Sequence, residues 1–65
     1  MVGNLKAIRK AKGMTQAQLS KAAKIHRITI SKYETGRVDP TLDSAEKLAA
    51  ALGVTIEELI GKKAG

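Results

Sequence analysis

The side chains best suited to binding chemistry lie between residues 27 and 35. If this segment is helical, a rotation of about 100° per residue turns Ile30, Tyr33 and Glu34 to an inner side. The opposite face carries charge, hydroxyl groups and one aliphatic side chain, from Ile28, Lys32 and Thr35, with Arg27 and Ser31 on its flanks. The segment therefore points these groups away from the core, where they are available to a partner.

The sequence offers no catalytic or metal-binding constellation. It has no cysteine, which excludes a disulfide, a thiolate metal site and a cysteine nucleophile. His26 has no second His or Cys with which to complete a metal site. No Ser-His-acid spacing and no phosphate-cradling glycine loop are present. His26 and Glu34 would lie two turns apart on one helix, with no pocket implied. We expect no enzyme activity, no metal, no cofactor and no small-molecule substrate.

The stretch that positions this face runs from Thr15 to Gly36 and reads as a helix, a turn and a second helix. Thr15 and Gln18 form a capping-box pattern at the start of the first helix. Ile25 is the apolar residue in the turn, and Gly36 ends the second helix. We expect these helices to run from about Gln16 to Ala23 and from about Arg27 to Thr35.

Three further helices are expected to support this pair. The first runs from Leu5 to about Lys12, with Asn4 as its cap and Gly13 after it. The fourth runs from about Leu42 to Leu52 behind a Thr41 cap, with an inner stripe of Leu42, Ala45, Leu48, Ala49 and Leu52. The fifth runs from Ile56 to Ile60 behind a Thr55–Glu58 capping box. The prediction is an all-α, five-helix fold over 1–65, a single domain ordered from about 4 to 61, with frayed or disordered ends at 1–3 and 62–65.

Charge is distributed unevenly along the 65 residues. Residues 1–38 hold nine Lys and Arg against one acid, about +8, and residues 39–65 hold three Lys against five acids, about −2, which together give the net charge of +6. A basic half beside a mildly acidic half is typical of a nucleic-acid binder. A solubilising lysine surface is the alternative. Lys6, Arg9, Lys10 and Lys12 interrupt any apolar run at the N-terminus, so we expect neither a signal peptide nor a membrane span, and a cytoplasmic protein.

The chain resembles the Cro and phage-repressor family of helix-turn-helix DNA-binding domains, the XRE-like regulators, from Leu5 to Leu59. The resemblance rests on five segments in family-like order: LKAIR at 5–9, GMTQAQL at 13–19, ISKYETG at 30–36, PTL at 40–42 and ALGV at 51–54. It implies a five-helix, lambda-repressor-like fold in which the second and third helices form the helix-turn-helix.

The resemblance also assigns roles to individual residues. Arg9 and Glu34 match a structural ion pair between the first and third helices. Gln16, at the start of the second helix, matches a residue that contacts the DNA backbone, and Thr35 and Arg37 match positions that hold a second phosphate. Lys10, Lys21 and Lys24 are further cations nearby.

Base reading in the major groove then falls to the outward face of the third helix. Arg27 is suited to a two-pronged contact with guanine O6 and N7. Ile28 fits against a thymine methyl group, or is an ordinary exposed aliphatic residue. Thr29 contacts a base or caps the first turn, and Lys32 reaches a guanine or a phosphate. Tyr33 belongs to the core, or its hydroxyl emerges near the DNA backbone.

Three residues depart from the family pattern around the turn. His26 stands where Ser or Thr usually caps the third helix; it is a poorer cap and could donate a hydrogen bond to a DNA phosphate. Lys24 stands where Gly is favoured, which would cost on the order of 1 kcal/mol in the left-handed conformation. Ser20 replaces a small Ala that packs against the turn.

Two functions of different classes follow from these observations. The first is a sequence-specific regulator of transcription, most simply a repressor, that binds double-stranded DNA at a roughly palindromic operator as two copies. Val54, Ile56 and Ile60 near the fifth helix could offer a small apolar patch for weak pairing, or be needed by the core. The second function is an antitoxin-like or adaptor module that binds protein on the same fold.

Overall fold

A computed structural model describes residues 3–61 of the chain. Five helices form in the order predicted: α1 (Leu5–Ala11), α2 (Gln16–Ala23), α3 (Arg27–Thr35), α4 (Leu42–Leu52) and α5 (Ile56–Ile60). The described range 3–61 contains no strand, so the all-α prediction is confirmed. The predictions for residues 1, 2 and 62–65 fall outside the described residues.

Capping chemistry explains why the helices begin where they do. The Thr15 and Thr55 hydroxyl oxygens each accept a hydrogen bond from the backbone amide three residues later. The cap amides of Thr15 and Thr55 in turn donate to the side-chain oxygens of Gln18 and Glu58, so both capping boxes are present. Thr41 caps α4 through Ser44. Each cap satisfies amides that have no partner within the helix, which typically stabilises a helix by about 1 kcal/mol.

Asn4 does not cap α1, contrary to the prediction. Its side chain makes no cap hydrogen bond to that helix. Instead, Asn4 Nδ2 donates to the Glu58 carbonyl at 3.1 Å, and its backbone amide donates to the Leu59 carbonyl at 3.2 Å. Both carbonyls lie in the last turn of α5, where helical amide donors run out, and the Glu58 carbonyl also accepts from the Gly61 amide at 3.3 Å. The start of α1 therefore closes the end of α5. α1 itself ends at Ala11, one residue earlier than expected, with Lys12 as its C-cap.

The core is aliphatic apart from one ring. It consists of Leu5, Leu19, Ala23, Ile30, Tyr33, Ala45, Leu48, Ala49, Leu52 and Leu59. α2 packs against both α3 and α4, while α1 packs against α3 and α5, and α5 against α4. Tyr33 is buried, which favours its assignment to the core over DNA contact. Burying a Leu or Ile side chain is worth roughly 1.5–3 kcal/mol, so the leucines contributed by several helices fix how α3 is held.

The predicted inner stripe of α4 is wrong at one position. Ala45, Leu48, Ala49 and Leu52 are buried, but Leu42 is 69% exposed. Leu42 is the first helical residue after the Thr41 cap, and most of its surface faces solvent. Helical periodicity gives the direction of a side chain but does not show where the neighbouring helices end.

Candidate nucleic-acid interface

α3 presents the exposed ridge that the sequence predicted. Ile30 and Tyr33 are buried beneath it. The outward residues Arg27, Ile28, Lys32 and Thr35 are exposed, and Thr29 is half-buried. Ile28 keeps 56% of its surface in solvent, although it is an aliphatic residue within two positions of the core residue Ile30. The four predicted base-contact residues, 27, 28, 29 and 32, therefore lie on the first turns of one helix, and none is fully buried.

A buried ion pair holds this helix to the rest of the fold. Arg9 Nε donates to Glu34 Oε2 at 2.7 Å and Arg9 Nη2 donates to Glu34 Oε1 at 3.2 Å, with 10% and 3% of the two side chains exposed. Arg9 Nη1 also donates to the Met14 carbonyl at 2.8 Å. The structure thus brings together the two residues that the family resemblance pairs. Because two parallel N–H···O bonds fix orientation as well as distance, the pair sets the position of α3 against α1.

Gln16 joins the same cluster, which the sequence did not reveal. Its Nε2 donates to Glu34 Oε1 at 3.0 Å, so the first residue of α2 is tied to the last turn of α3. Gln16 and Glu34 are separated by 18 residues, and no local pattern signals a bond over that distance. An amide NH₂ group carries two protons, and this bond uses one of them. The Gln16 side chain is consequently held in place with a second donor remaining.

The environment of Glu34 keeps its carboxyl group ionised. Burial alone would raise its pKa, but hydrogen bonds from Arg9 and Gln16, together with the charges of Arg9 and Lys6, outweigh burial and lower the pKa below the ordinary value of 4.5. Glu34 is therefore a carboxylate at neutral pH, and its charge is matched by that of Arg9.

As a result, every charged side chain that residues 3–38 expose is a cation. Glu34 is the one acidic residue among residues 3–38, and its side chain is buried. The other cations of that range are all exposed: Lys6, Lys10, Lys12, Lys21, Lys24, Arg27, Lys32 and Arg37. The carboxylates of residues 39–61 are exposed and belong to the second part of the chain. The contrast between the basic and acidic halves is thus stronger on the protein surface than the net charges of the two halves suggest.

The turn between α2 and α3 accommodates the residues that depart from the family pattern. Lys24 adopts the left-handed conformation, with φ 58° and ψ 40°, as expected for a position where Gly is favoured. The Ser20 hydroxyl donates to the Ile25 carbonyl, and the Ile25 amide donates to the Ser20 carbonyl at 3.1 Å. Ser20 therefore replaces the packing of a small residue with a hydrogen bond across the turn.

His26 caps α3 with its imidazole ring. Its Nδ1 accepts a hydrogen bond from the Ile28 amide at 3.1 Å. In a neutral imidazole that accepts at Nδ1, the proton is on Nε2, so the ring retains a donor. His26 also lines a shallow cleft between α2 and the start of α3, together with Ala17, Ser20, Lys21 and Arg27. The ring thus fulfils the capping role of the usual Ser or Thr and keeps a donor beside two cations.

Residues after α3 place further donors at its C-terminal end. Gly36 adopts φ 79°, and the Arg37 amide donates to the Lys32 carbonyl at 3.0 Å, which closes the helix. The Thr35 hydroxyl donates to the same carbonyl at 3.2 Å. Both side chains are exposed. The predicted backbone-contact residues therefore lie at both ends of α3. His26 lies at the start of the helix, where it caps the first turn. Thr35 and Arg37 lie at its end, and the bond to Glu34 holds Gln16 beside that same end.

Within residues 3–61, no three His, Cys, Asp or Glu side chains come together as a metal site. The helices of that range are also too short and too polar for any of them to cross a membrane.

These features define a class of protein: a small helical domain with a helix-turn-helix whose second helix is exposed and surrounded by cations. Comparison with known proteins agrees. A helix-turn-helix family model matches residues 5–59, and the chain belongs to that family, in its Cro and phage-repressor-like (XRE) branch.

Relatives of this chain are named as regulators. It is 36% identical over 59 residues to the immunity repressor protein of Bacillus phage phi105, covering 91% of this chain and 41% of the relative. It is 41% identical over 54 residues to the cryptic phage CTXphi transcriptional repressor RstR of Vibrio cholerae, covering 83% and 48%. An uncharacterized HTH-type transcriptional regulator of Methanocaldococcus jannaschii, MJ0272, is 39% identical over 59 residues, covering 91% and 89%. The chain spans less than half the length of the two phage repressors.

Proposed function

We propose that residues 4–61 act as one sequence-specific DNA-binding domain of a transcriptional regulator, with α3 inserted into the major groove. The observation that carries the proposal is the exposed ridge of α3, Arg27 to Lys32, standing in a cationic surface from which the one local carboxylate has been removed by burial. An α-helix fits the major groove, and cations beside it attract the phosphates. Family membership and the regulators among the relatives support the same conclusion.

The residues divide into two groups by the contacts proposed for them. Arg27, Ile28, Thr29 and Lys32 contact base edges, because they form the outward face of α3. Gln16, His26, Thr35 and Arg37 contact the sugar-phosphate backbone, because their donors flank that face at both ends. Phosphate contacts set affinity and register, whereas base-edge contacts set the choice of sequence. We propose no catalytic role for any of these residues. We also propose that the protein is located in the cytoplasm, where it meets the DNA.

We further propose that two copies bind one roughly palindromic site, which would act as an operator for repression. One helix reads only a few base pairs, and two copies place two such helices about 34–36 Å apart along the duplex. Val54, Ile56 and Ile60 pack against the core but are only half-buried, so part of each side chain stays exposed for a small apolar contact between copies around α5. Such a contact is small, so pairing is expected to be much stronger on DNA than in free solution.

The test is a titration of fluorescent duplex DNA at several salt concentrations. The duplexes are first selected from a random pool, and a two-fold symmetric selected motif would support the operator model. Binding through phosphates predicts that affinity falls steeply with salt, with a slope of about −0.9 in log-log form per phosphate contacted. Absence of salt-dependent DNA binding would refute the proposal and favour the antitoxin-like or adaptor module.

Matched variants separate the two groups of residues. Arg37→Ala should weaken binding to all sequences alike. It should also reduce the slope of log affinity against log salt by about 0.9, the value for one phosphate contact. Arg27→Ala should lower discrimination at one base pair by about 1–3 kcal/mol. Lys47→Ala is the control, because Lys47 is exposed in the acidic part of the molecule and pairs with Asp43 at 3.3 Å. If Arg37→Ala and Lys47→Ala have the same effect, the proposed placement of DNA is wrong.

A further inference from the structure

Ile28 is an unusual side chain to find at the centre of a polar ridge. It is 56% exposed, whereas Ile30 in the same helix is fully buried. Its position is also fixed, because its amide donates to the His26 cap at 3.1 Å and a helical isoleucine strongly prefers one χ1 rotamer. The surface therefore carries a rigid apolar group with no hydrogen-bonding capacity, between the cationic side chains of Arg27 and Lys32.

The major-groove edge of DNA offers few groups that an isoleucine can contact favourably. The exposed edges of guanine and adenine, and the N4 amine of cytosine, are donors or acceptors that lose water if they face an aliphatic group. The one apolar group is the methyl on C5 of thymine. 5-Methylcytosine carries its methyl group on the same ring carbon, and that group projects into the same place in the groove. Uracil and unmodified cytosine lack it.

We propose that Ile28 recognises the pyrimidine C5-methyl group itself and not thymine as a base, so that binding responds to cytosine methylation at that position. This rests on the proposed function, since it requires α3 in the major groove. At the base that faces Ile28, thymine and 5-methylcytosine are each preferred over their unmethylated counterparts. The exposed outward face of α3 carries no Asn or Gln, so the paired donor and acceptor of adenine have no amide partner there.

The experiment compares duplexes that differ by one methyl group. In the best sequence selected from a random pool, each thymine is replaced singly by uracil, and then by cytosine and by 5-methylcytosine. Thymine and uracil have identical hydrogen-bonding edges, as do the two cytosines, so each pair isolates the methyl group. Burial of one methyl group predicts that affinity falls about four-fold on its removal, in both pairs, at one position of each half-site.

At that position, Ile28→Ala should bring the affinity ratio of thymine to uracil, and that of 5-methylcytosine to cytosine, to about one. Because Ile28 is exposed, this variant is expected to fold. Val38→Ala is the control, since Val38 is another exposed aliphatic residue, at 46%, but lies outside α3. It should leave both ratios unchanged. A selected motif with no methyl-dependent position, or with methyl ratios that persist in Ile28→Ala, overturns the inference and leaves sequence-specific binding intact. If the pool yields no motif at all, the proposed function fails and the inference fails with it.

Discussion

Replacing Glu34 by alanine is expected to destabilise the domain by about 3 kcal/mol, at the lower end of the range for breaking a buried ion pair. The change leaves the Arg9 guanidinium without its anion, in a site where 10% of the Arg9 side chain is exposed. The bond from Arg9 Nη1 to the Met14 carbonyl survives, which favours the lower end of that range. The Gln16 amide also loses its acceptor.

This loss is large relative to the total stability of so small a domain. At about 0.05–0.15 kcal/mol per residue, a chain of 65 residues has roughly 3–10 kcal/mol in all. Urea unfolding followed by far-UV circular dichroism at neutral pH measures the change from the shift in midpoint. Glu34→Ala should therefore range from strongly destabilised to largely unfolded in buffer.

A double variant keeps the reasoning testable even if Glu34→Ala does not fold. Replacing both Arg9 and Glu34 by methionine removes both charges and refills the site, which is often neutral or stabilising for buried pairs. The double variant should be closer to wild type than either single methionine variant. If the two single changes simply add, or if Glu34→Ala costs less than about 1 kcal/mol, the pair does not hold α1 to α3 in the way described.

The same pair predicts how stability depends on pH. The folded-state pKa of Glu34 lies below its ordinary value of 4.5, so its contribution is present above pH 4.5 and is lost as the pH falls through the lowered folded-state pKa. Glu34→Gln resembles the protonated carboxyl group. The stability difference between wild type and Glu34→Gln should therefore narrow steadily on acidification below 4.5, and a difference that stays constant would contradict the charge argument.

Two further predictions concern the turn before α3. Lys24→Gly should stabilise the domain by roughly 0.5–1 kcal/mol in urea unfolding, because relief of the left-handed strain exceeds the extra entropy of glycine in the unfolded chain; Lys21→Gly, inside α2, should instead destabilise it by about 1 kcal/mol. His26→Ala should cost up to about 1 kcal/mol through loss of the α3 cap, and His26→Ser, with a better capping side chain, should be at least as stable as wild type. Equal stability of the Ala and Ser variants would show that the imidazole nitrogen does not act as the cap.

The sequence predicted the helices well because the signals for their ends are local. Threonine caps, glycine stops and the 3.6-residue period each depend on a few neighbouring residues. For four of the five helices, these signals predicted the first and last residues that the structure shows. The cationic ridge also followed from local spacing, since the direction of a helical side chain depends on its position in the turn. The Arg9–Glu34 pair is different: it came from the family resemblance, since 25 residues separate the partners.

The predictions that were wrong, or absent, all depend on how distant elements meet. Asn4 stands at the cap position of the helix that follows it, but its side chain and its amide donate to carbonyls of α5, 54 or more residues away in sequence. Leu42 has core periodicity, but 69% of it stays exposed. The bond from Gln16 to Glu34 could not be inferred, because 18 residues separate the partners and the two lie on different helices. The periodicity of the sequence predicts which way a side chain points, whereas its contacts with other helices are seen only in the folded structure.

Burial of Glu34 links the stability of the fold to the character of its surface. A carboxylate exposed on α3 would repel DNA phosphates, yet the buried Arg9 guanidinium requires an anion. Placing Glu34 on the inner side of α3 meets both requirements, because its charge is used within 3.2 Å of Arg9 and is hidden from the exposed ridge. The Gln16 donor is held by the same carboxylate. One buried side chain thus orients α3, neutralises the interior cation and positions a proposed phosphate contact, and for this reason changes at Glu34 should affect folding and DNA affinity together.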